Sequence, residues 1–402
     1  MVDIRRFGRH YEVLFLTAFI WFLAKFLRYA FPPLFEPLGA AYGVSNAVLG
    51  TAFTGFMLAY AAMQFPSGVV ADRLGAVVVI TGGAVLAAVA AAVLAVDSPF
   101  AVVVGAMVLM GAGTGAHKTV AVGLLSRAYP DHTGRALGIL DTAGVFGGVA
   151  APAVVVFSLG LAGASVVGWR LVFLLAAAVG GAAAVAFAVR VPPRVDRAAG
   201  DEREGDSDGI ERYLGLFARR RFSGFVLMTL LFSFTYNGVV AFLPVYLTSE
   251  AGVTTATAGL LYALLFAAGP VQIATGEASD RVGVPPLLVS TLALAAVALG
   301  ALVEVAPAGN VWGLAAAVVC IGLGSHGHRP LRGAYLLSVV PGSIAGGGLG
   351  AVRTLLMGTG ALAPAVVGVL SDAVGFGPAF ALLTASITAA AGLAALLWLT
   401  EE

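Results

Sequence analysis

The sequence predicts an all-α membrane protein in which twelve transmembrane helices form two pseudo-symmetric bundles of six. Of its 402 residues, 60% are hydrophobic and 11% are charged, whereas soluble chains carry about 25% charged residues. Apolar stretches of roughly 20 residues, the length that crosses a bilayer, recur twelve times. We number these predicted spans 1 to 12 in chain order, at residues 12–37, 47–70, 77–96, 100–125, 136–160, 169–190, 223–247, 255–276, 285–304, 310–337, 347–370 and 377–399.

The two halves of the chain repeat each other. GVVADRLG at residues 68–75 matches GEASDRVG at residues 276–283 with an offset of 208, and GAGTGAHK at 111–118 matches GLGSHGHR at 322–329 with an offset of 211. Prolines recur at an offset of 212, at Pro32 with Pro244 and at Pro152 with Pro364. Offsets this consistent predict a duplicated six-helix unit, an arrangement found in many secondary transporters.

One long polar stretch separates the halves. Residues 191–221 are rich in charge, Gly and Pro, which is typical of a flexible linker. We therefore predict an N-terminal six-helix bundle over residues 1–190 and a C-terminal six-helix bundle over residues 222–402.

The arginines that lie outside the spans are concentrated in alternate loops, and this predicts the orientation in the membrane. The opposite loops carry Asp97, Glu250 and Asp372 instead. By the positive-inside rule, we expect a multi-pass plasma-membrane protein with both termini and the linker in the cytoplasm. The arginines concerned are Arg5, Arg6, Arg9, Arg73, Arg127, Arg135, Arg190, Arg194, Arg197, Arg203, Arg212, Arg219, Arg220, Arg221 and Arg281.

The octapeptides at residues 68–75 and 276–283 follow spans 2 and 8. Both resemble the G-x-x-x-D-R-x-G signature of the major facilitator superfamily, and GWRLVF at residues 168–173 resembles the start of that family's sixth helix. The resemblance covers the whole chain and implies a secondary transporter in which two bundles rock about a central site. It assigns the cytoplasmic gate to Asp72, Arg73, Asp280 and Arg281.

Three departures from the family pattern disfavour a proton-coupled drug exporter, which stays open as an alternative. The first signature copy is followed by Ala76 and Val77 where a basic pair is usual. Met107 stands near the point where many drug exporters carry an arginine in span 4. The glycine pattern of span 5 is only half present, as GVFGGVAAP at residues 144–152.

Spans 1, 4, 7 and 10 line the pathway in this family, and three of them carry cations here. The only lysines of the chain, Lys25 and Lys118, lie in spans 1 and 4. Because a cation at the bilayer centre costs about 2.5–3.5 kcal/mol, such residues indicate a functional site. We predict a substrate-binding set of Lys25, Arg28, His117, Lys118, Tyr236, Asn237, His328, Arg329 and Arg332.

Asp141 is the one deep carboxylate, and it stands at the repeat position of Arg353. Two interpretations of Asp141 and Arg353 remain open: proton coupling, or a structural ion pair. Cations outnumber carboxylates in the spans, and Arg binds carboxylate or phosphate through two parallel hydrogen bonds. The sequence therefore predicts a transporter of a small organic anion, a carboxylate or a phosphate ester, coupled to protons or to a counter-anion.

Other functions are less consistent with the sequence. It contains no Walker loop, metal-ligand spacing or nucleophile elbow, so we expect no enzyme activity, metal or cofactor. Its net charge of +1 gives no reason to expect a nucleic-acid partner, and the single Cys320 excludes an intrachain disulfide. The expected partners are the anionic substrate, protons or a counter-anion, and the lipid bilayer, and we expect a monomer. A non-transporting membrane sensor is the remaining alternative, which the absence of an added cytoplasmic domain disfavours.

Overall fold

The computed structural model describes residues 4–162, 166–191, 217–339 and 345–400, and these ranges are helical throughout apart from turns and short loops. Within them, twelve helical segments are long and apolar enough to cross a membrane, which confirms the predicted all-α fold. The α-helices are Ile4–Ala30, Phe35–Tyr42, Asn46–Ala62, Gln64–Leu74, Ala76–Leu94, Phe100–Gly115, His117–Ala128, Thr133–Ala162, Val166–Arg190, Arg220–Glu250, Thr255–Ala267, Val271–Val282, Val284–Val305, Val311–Val339, Ala345–Val374 and Phe376–Leu399. Three 3₁₀ turns lie at Pro32–Leu34, Pro130–His132 and Ala306–Ala308.

The chain forms two compact units. Unit 1 comprises Met1–Val44 and Ala52–Glu204, and unit 2 comprises Ser45–Thr51 and Gly205–Glu402. The first residues of span 2 therefore pack with unit 2, which the sequence did not predict. Residues 192–216 of the predicted linker lie outside the described ranges.

Each unit has its own apolar core. In unit 1 the rings of Phe31, Phe53 and Phe56 pack together, with Phe173 of span 6 against Phe31. In unit 2 the ring of Tyr246 stacks on Phe380 with centroids 3.9 Å apart. These cores join the spans of one unit to each other and leave apolar side chains exposed on the outer helix faces, as expected for a protein surrounded by lipid.

Spans 1, 2, 4 and 8 each consist of two helices. Span 4 is interrupted between Gly115 and His117, and span 2 between Ala62 and Gln64. Gln64 joins the two interruptions, because its side-chain nitrogen donates to the Gly115 carbonyl at 2.9 Å and its side-chain oxygen accepts from the Thr119 hydroxyl at 2.9 Å. A carbonyl released by the break is thus satisfied, as a membrane interior requires. The break places His117 and Lys118 in the first turn of a new helix.

The last glycine of each signature copy ends a helix in a conformation that few other residues adopt. Gly75 has a φ of 94° and Gly283 a φ of 90°, and a new helix begins at the next residue in both places. Glycine reaches this region without a steric penalty. The two copies therefore form the same tight turn in the two units.

Two ion pairs near helix ends show which ends lie together in unit 1. In unit 1, Arg190 at the end of span 6 pairs with Glu12 at the start of span 1, at 2.7 Å. Arg170 at the start of span 6 pairs with Asp97, which follows span 3. In each pair the two helix ends are separated by an even number of spans, so a chain that crosses the membrane at every span brings them to the same side.

Candidate functional site

Unit 1 places the predicted cations of span 1 in a row with aromatic rings. The Nζ of Lys25 lies 4.8 Å from the centroid of the Trp21 ring and 5.5 Å from that of Tyr29. The guanidinium carbon of Arg28 lies 5.6 Å from the Tyr29 ring and 5.7 Å from the Tyr60 ring. Each cation is half-buried and close enough to a ring for a cation–π interaction. Lys25 and Arg28 thus share the ring of Tyr29.

Lys118 of span 4 joins the same group. Its Nζ lies 5.2 Å from the Trp21 ring centroid and forms an ion pair with Asp141 of span 5. Lys118 is the second residue of the helix that begins at His117, where the positive end of the helix dipole disfavours a cation. Asp141 offsets that charge. The side chain of Lys118 is 15% exposed and that of Asp141 67% exposed, so solvent reaches the carboxylate.

His117 is next to this group in the chain and in space, and it is 2% exposed. Its Nε2 is 3.0 Å from the Thr17 carbonyl, so Nε2 carries the proton and donates. The imidazole stacks on Trp21 with centroids 5.9 Å apart. The structure thus places His117 against the aromatic ring that the two lysines contact, in a packing position.

Unit 2 holds the second group of predicted residues. The guanidinium carbon of Arg329 lies 5.0 Å from the centroid of the Tyr236 ring, which itself stacks on Phe232. His328 is fully buried, with its ring centroid 4.4 Å from that of Phe232. Arg329 therefore repeats in unit 2 the contact between a cation and an aromatic ring that Lys118 makes in unit 1.

The other predicted residues of unit 2 differ in their surroundings. Asn237 is 9% exposed, and its side chain donates to the Ser233 carbonyl at 2.8 Å. Its amide lies so close to Gly360 that any side chain at position 360 would overlap it. This environment is that of a helix-packing residue. Arg332 is half-buried and within electrostatic range of Arg329 and Arg353, and Arg353 is exposed. In the structure the ion pair of Asp141 is with Lys118, and a pairing of Asp141 with Arg353 stays a prediction.

The predicted gate residues are exposed at helix ends. Asp72 and Arg73 lie in the last turn before Gly75. Asp280 and Arg281 lie at the same place before Gly283, and Arg281 pairs with Glu277 at 2.5 Å. Among the described residues, no group of three or more His, Cys, Asp or Glu could hold a metal ion.

Sequence reasoning missed Trp21, which contacts both lysines and His117. It lies in a long apolar run, where helical periodicity does not distinguish a residue facing the polar group from one facing lipid or core. The chain has only four tryptophans. The scarcity of tryptophan, and the spacing of four residues that puts Trp21 on the same helix face as Lys25, could have indicated Trp21 from the sequence.

Sequence reasoning also missed a third copy of the signature, which lacks the arginine. GVLSDAVG at residues 368–375 ends span 11, and Gly375 has a φ of 92°, as in the other two copies. Asp372 accepts hydrogen bonds from the backbone N–H groups of Asn46 and Ala47 at 3.3 and 2.8 Å, and so caps the start of span 2. A side chain on Gly368 would overlap the Asn46 carbonyl.

The family of the chain follows from its sequence profile. The profile of the Major Facilitator Superfamily matches residues 14–324, which is more than half of the chain. The chain therefore belongs to that superfamily and is a secondary transporter. No curated protein sequence matches it.

Solved structures share its fold at low identity. A bacterial homologue of the human lysosomal transporter Spinster, inward-facing and occupied, is 18% identical over 98% of this chain and 97% of that chain, with a TM-score of 0.78. A variant of the nucleoside transporter NupG is 15% identical over 97% and 100%, with a TM-score of 0.78. A POT family transporter in complex with 5-aminolevulinic acid is 14% identical over 96% and 95%, with a TM-score of 0.75. Identities this low show the shared fold alone.

Proposed function

We propose that this secondary transporter carries a small organic anion, a carboxylate or a phosphate ester, by alternating access in the plasma membrane. The observation that supports the proposal is the gathering of Lys25, Arg28 and Lys118 around aromatic rings of unit 1. Three cations at membrane depth, at about 2.5–3.5 kcal/mol each on insertion scales, form a costly group that a protein retains for function.

Lys118 and Asp141 suggest how an anion enters this group. Asp141 already presents a carboxylate to the Lys118 ammonium, and the carboxylate is mostly exposed. A substrate carboxylate offers the same chemistry and can replace Asp141 as the partner of Lys118. The displaced Asp141 carboxylate is then the candidate site for the co-transported proton. This exchange would couple anion binding to protonation of Asp141, and thus to proton symport.

Arg329 supplies the corresponding chemistry in unit 2. A guanidinium can donate two parallel hydrogen bonds to a carboxylate or phosphate, and that of Arg329 lies 5.0 Å from the Tyr236 ring centroid. We include Arg329 and Arg332 in the proposed anion-binding set. A POT family structure contains 5-aminolevulinic acid, so the fold accommodates a small carboxylic acid.

A drug exporter is the second candidate, and the exposure of Asp141 is the observation that favours it. A carboxylate that is 67% exposed is accessible to a cationic substrate, which could replace Lys118 as its partner. The two candidates differ in the sign of the substrate charge. They therefore predict opposite results with charged substrates.

Uptake into proteoliposomes decides between them. Purified protein is reconstituted and assayed with radiolabelled mono- and dicarboxylates, phosphate esters and cationic dyes, with and without a pH gradient. We expect wild-type protein to take up at least one anion in a saturable manner and to do so faster when protons move inward. We expect this uptake to be reduced in Lys118→Gln. Dye transport that depends on Asp141, with no anion transported, would overturn the anion proposal.

A further inference from the structure

We infer that Trp21 is the positioning residue of the unit 1 cations, and that it sets anion affinity by holding the ammonium groups of Lys25 and Lys118 at one indole ring. The inference extends the proposed function, on which its transport test rests. It assigns a role to a residue that carries no charge.

Trp21 is the one ring in the described residues with two lysine ammonium groups over it, at 4.8 and 5.2 Å from its centroid. The ammonium nitrogens are therefore no farther apart than those two distances together. Two like charges at one ring repel each other, and long lysine side chains can extend away from one another. The negative face of an indole attracts both, and more strongly than the ring of Phe or Tyr. Trp21 thus keeps both donors where one anion can reach them.

The indole is itself held by two contacts. It stacks on His117, whose ring is fixed by the hydrogen bond to the Thr17 carbonyl. The pyrrole edge of the indole lies against Gly144 of span 5, where a Cβ would stand 2.9 Å from Cδ1 of Trp21 and closer still to its Nε1. Trp21 is only 4% exposed. The ring therefore has little freedom to tilt, and Gly144 is the residue that makes room for it.

The repeat shows that this arrangement is particular to unit 1. With the offset of 212, Trp21 corresponds to Ser233 and Gly144 to Leu356. In unit 2 the Ser233 hydroxyl donates to the Leu356 carbonyl at 2.7 Å, so a small residue on span 7 faces a large one on span 11. The large residue and the small one have exchanged places between the units. Lys25 likewise corresponds to Asn237, so the ring and its lysine occur together in one unit only.

The first test needs no substrate. Trp169, Trp312 and Trp398 are replaced by Phe, so that Trp21 is the single tryptophan of the full chain, and it is excited at the long-wavelength edge of its absorption, where the ten tyrosines do not absorb. We expect Lys25→Gln and Lys118→Gln each to shift the emission maximum or intensity, because each removes an ammonium from the ring. Arg28→Gln is the matched control, since its guanidinium contacts Tyr29 and Tyr60. Emission that responds equally to all three changes, or to none, would overturn the inference.

The second test measures transport by variants that alter the ring and leave every charge in place. Trp21→Leu should raise KM for the anion about 3- to 30-fold, the range of a partly desolvated cation–π contact, and Trp21→Phe should give an intermediate value. Gly144→Ala should raise KM in the same direction by displacing the indole. Gly138→Ala is the control on the same helix, where an added Cβ meets nothing within 4 Å. A lower kcat at unchanged KM would indicate a merely structural role.

The two tests separate this inference from the proposed function. If wild-type protein transports anions and the KM of Trp21→Leu and Gly144→Ala equals that of wild type, Trp21 is not the positioning residue and the anion proposal stands. If no anion is transported but Lys25→Gln and Lys118→Gln alter Trp21 emission selectively, the positioning geometry stands and the proposed substrate class falls.

Discussion

Lys118 shows how far a single residue can be understood from sequence. Its depth in span 4 and its rarity were readable, and both indicated a functional position. The sequence did not predict that Lys118 pairs with Asp141. The two residues are 23 positions apart, and whether they face each other depends on how spans 4 and 5 are rotated about their axes. The repeat alone suggested Arg353 as a partner of Asp141. Equivalent positions in the two halves do not indicate which residues touch within one unit, so the repeat could not identify Lys118.

Removing the charge of Lys118 or Arg329 should weaken anion binding without unfolding the protein. Lys118→Gln leaves Asp141 without its cation, but that carboxylate is mostly exposed and stays solvated. Loss of a charge-assisted hydrogen bond of about 1.5–3 kcal/mol corresponds to a roughly 10- to 150-fold higher Kd. Titration of purified protein with transported anions measures the Kd. Arg190→Gln is the control, because Arg190 pairs with Glu12 where span 6 ends and span 1 begins. This variant should bind the anion as wild type does. An unchanged Kd in both Lys118→Gln and Arg329→Gln would show that neither cation binds the anion.

At the scale of elements, the spans were predictable in number and place, but their interruptions were only partly so. The break in span 1 follows from Pro32 and Pro33, because proline has no N–H to donate. The break at Ala116 in span 4 has no proline. It depends on the partner Gln64, which satisfies the Gly115 carbonyl from another span, and periodicity does not encode such long-range partners.

The third signature copy should act as a cap on span 2. Asp372→Ala removes both hydrogen bonds to the backbone of Asn46 and Ala47. A lost cap costs about 0.5–2 kcal/mol, so we expect roughly 2- to 30-fold faster amide hydrogen exchange in the peptide covering residues 46–51. Gly368→Ala should act in the same direction, while Gly358→Ala, with open space on the same helix, should not. Unchanged exchange in Asp372→Ala would show that the capping contact is not significantly populated.

The two arginine-bearing copies should control conformation more than affinity. Asp72 and Asp280 lie exposed in the last turn before a glycine, outside the groups of cations and rings described above. We expect Asp72→Asn and Asp280→Asn to change the transport rate and the balance of inward-open and outward-open states, with a Kd for the anion within about threefold of wild type. Transport rate and equilibrium binding are measured on the same preparations. A large loss of binding at an unchanged conformational balance would place these residues in the substrate site.

For the whole molecule, the sequence predicted twelve spans and a duplication, because apolar stretches recur along the chain and several motifs recur at nearly the same offset. What it did not predict is how the two halves diverged. The repeat aligned Lys25 with Asn237, but the exchange of a large and a small residue between Trp21–Gly144 and Ser233–Leu356 became visible only from contacts. Symmetry therefore predicts the scaffold, and the departures from symmetry mark the residues to test for function.

The orientation of the whole chain can be tested with single cysteines. Cys320 is the only native cysteine, so Cys320→Ala provides a background without thiols. The arginine distribution predicts that the linker lies in the cytoplasm and the loop between spans 9 and 10 outside. A membrane-impermeant maleimide applied to intact cells should therefore label Ala308→Cys, which is exposed in that loop, and should label Ser207→Cys only after permeabilisation. Because Ala308 and Ser207 are separated by three spans, they must lie on opposite sides, and equal labelling of both in intact cells would contradict the twelve-span topology. Labelling with the two sites reversed would keep the fold and invert the membrane orientation.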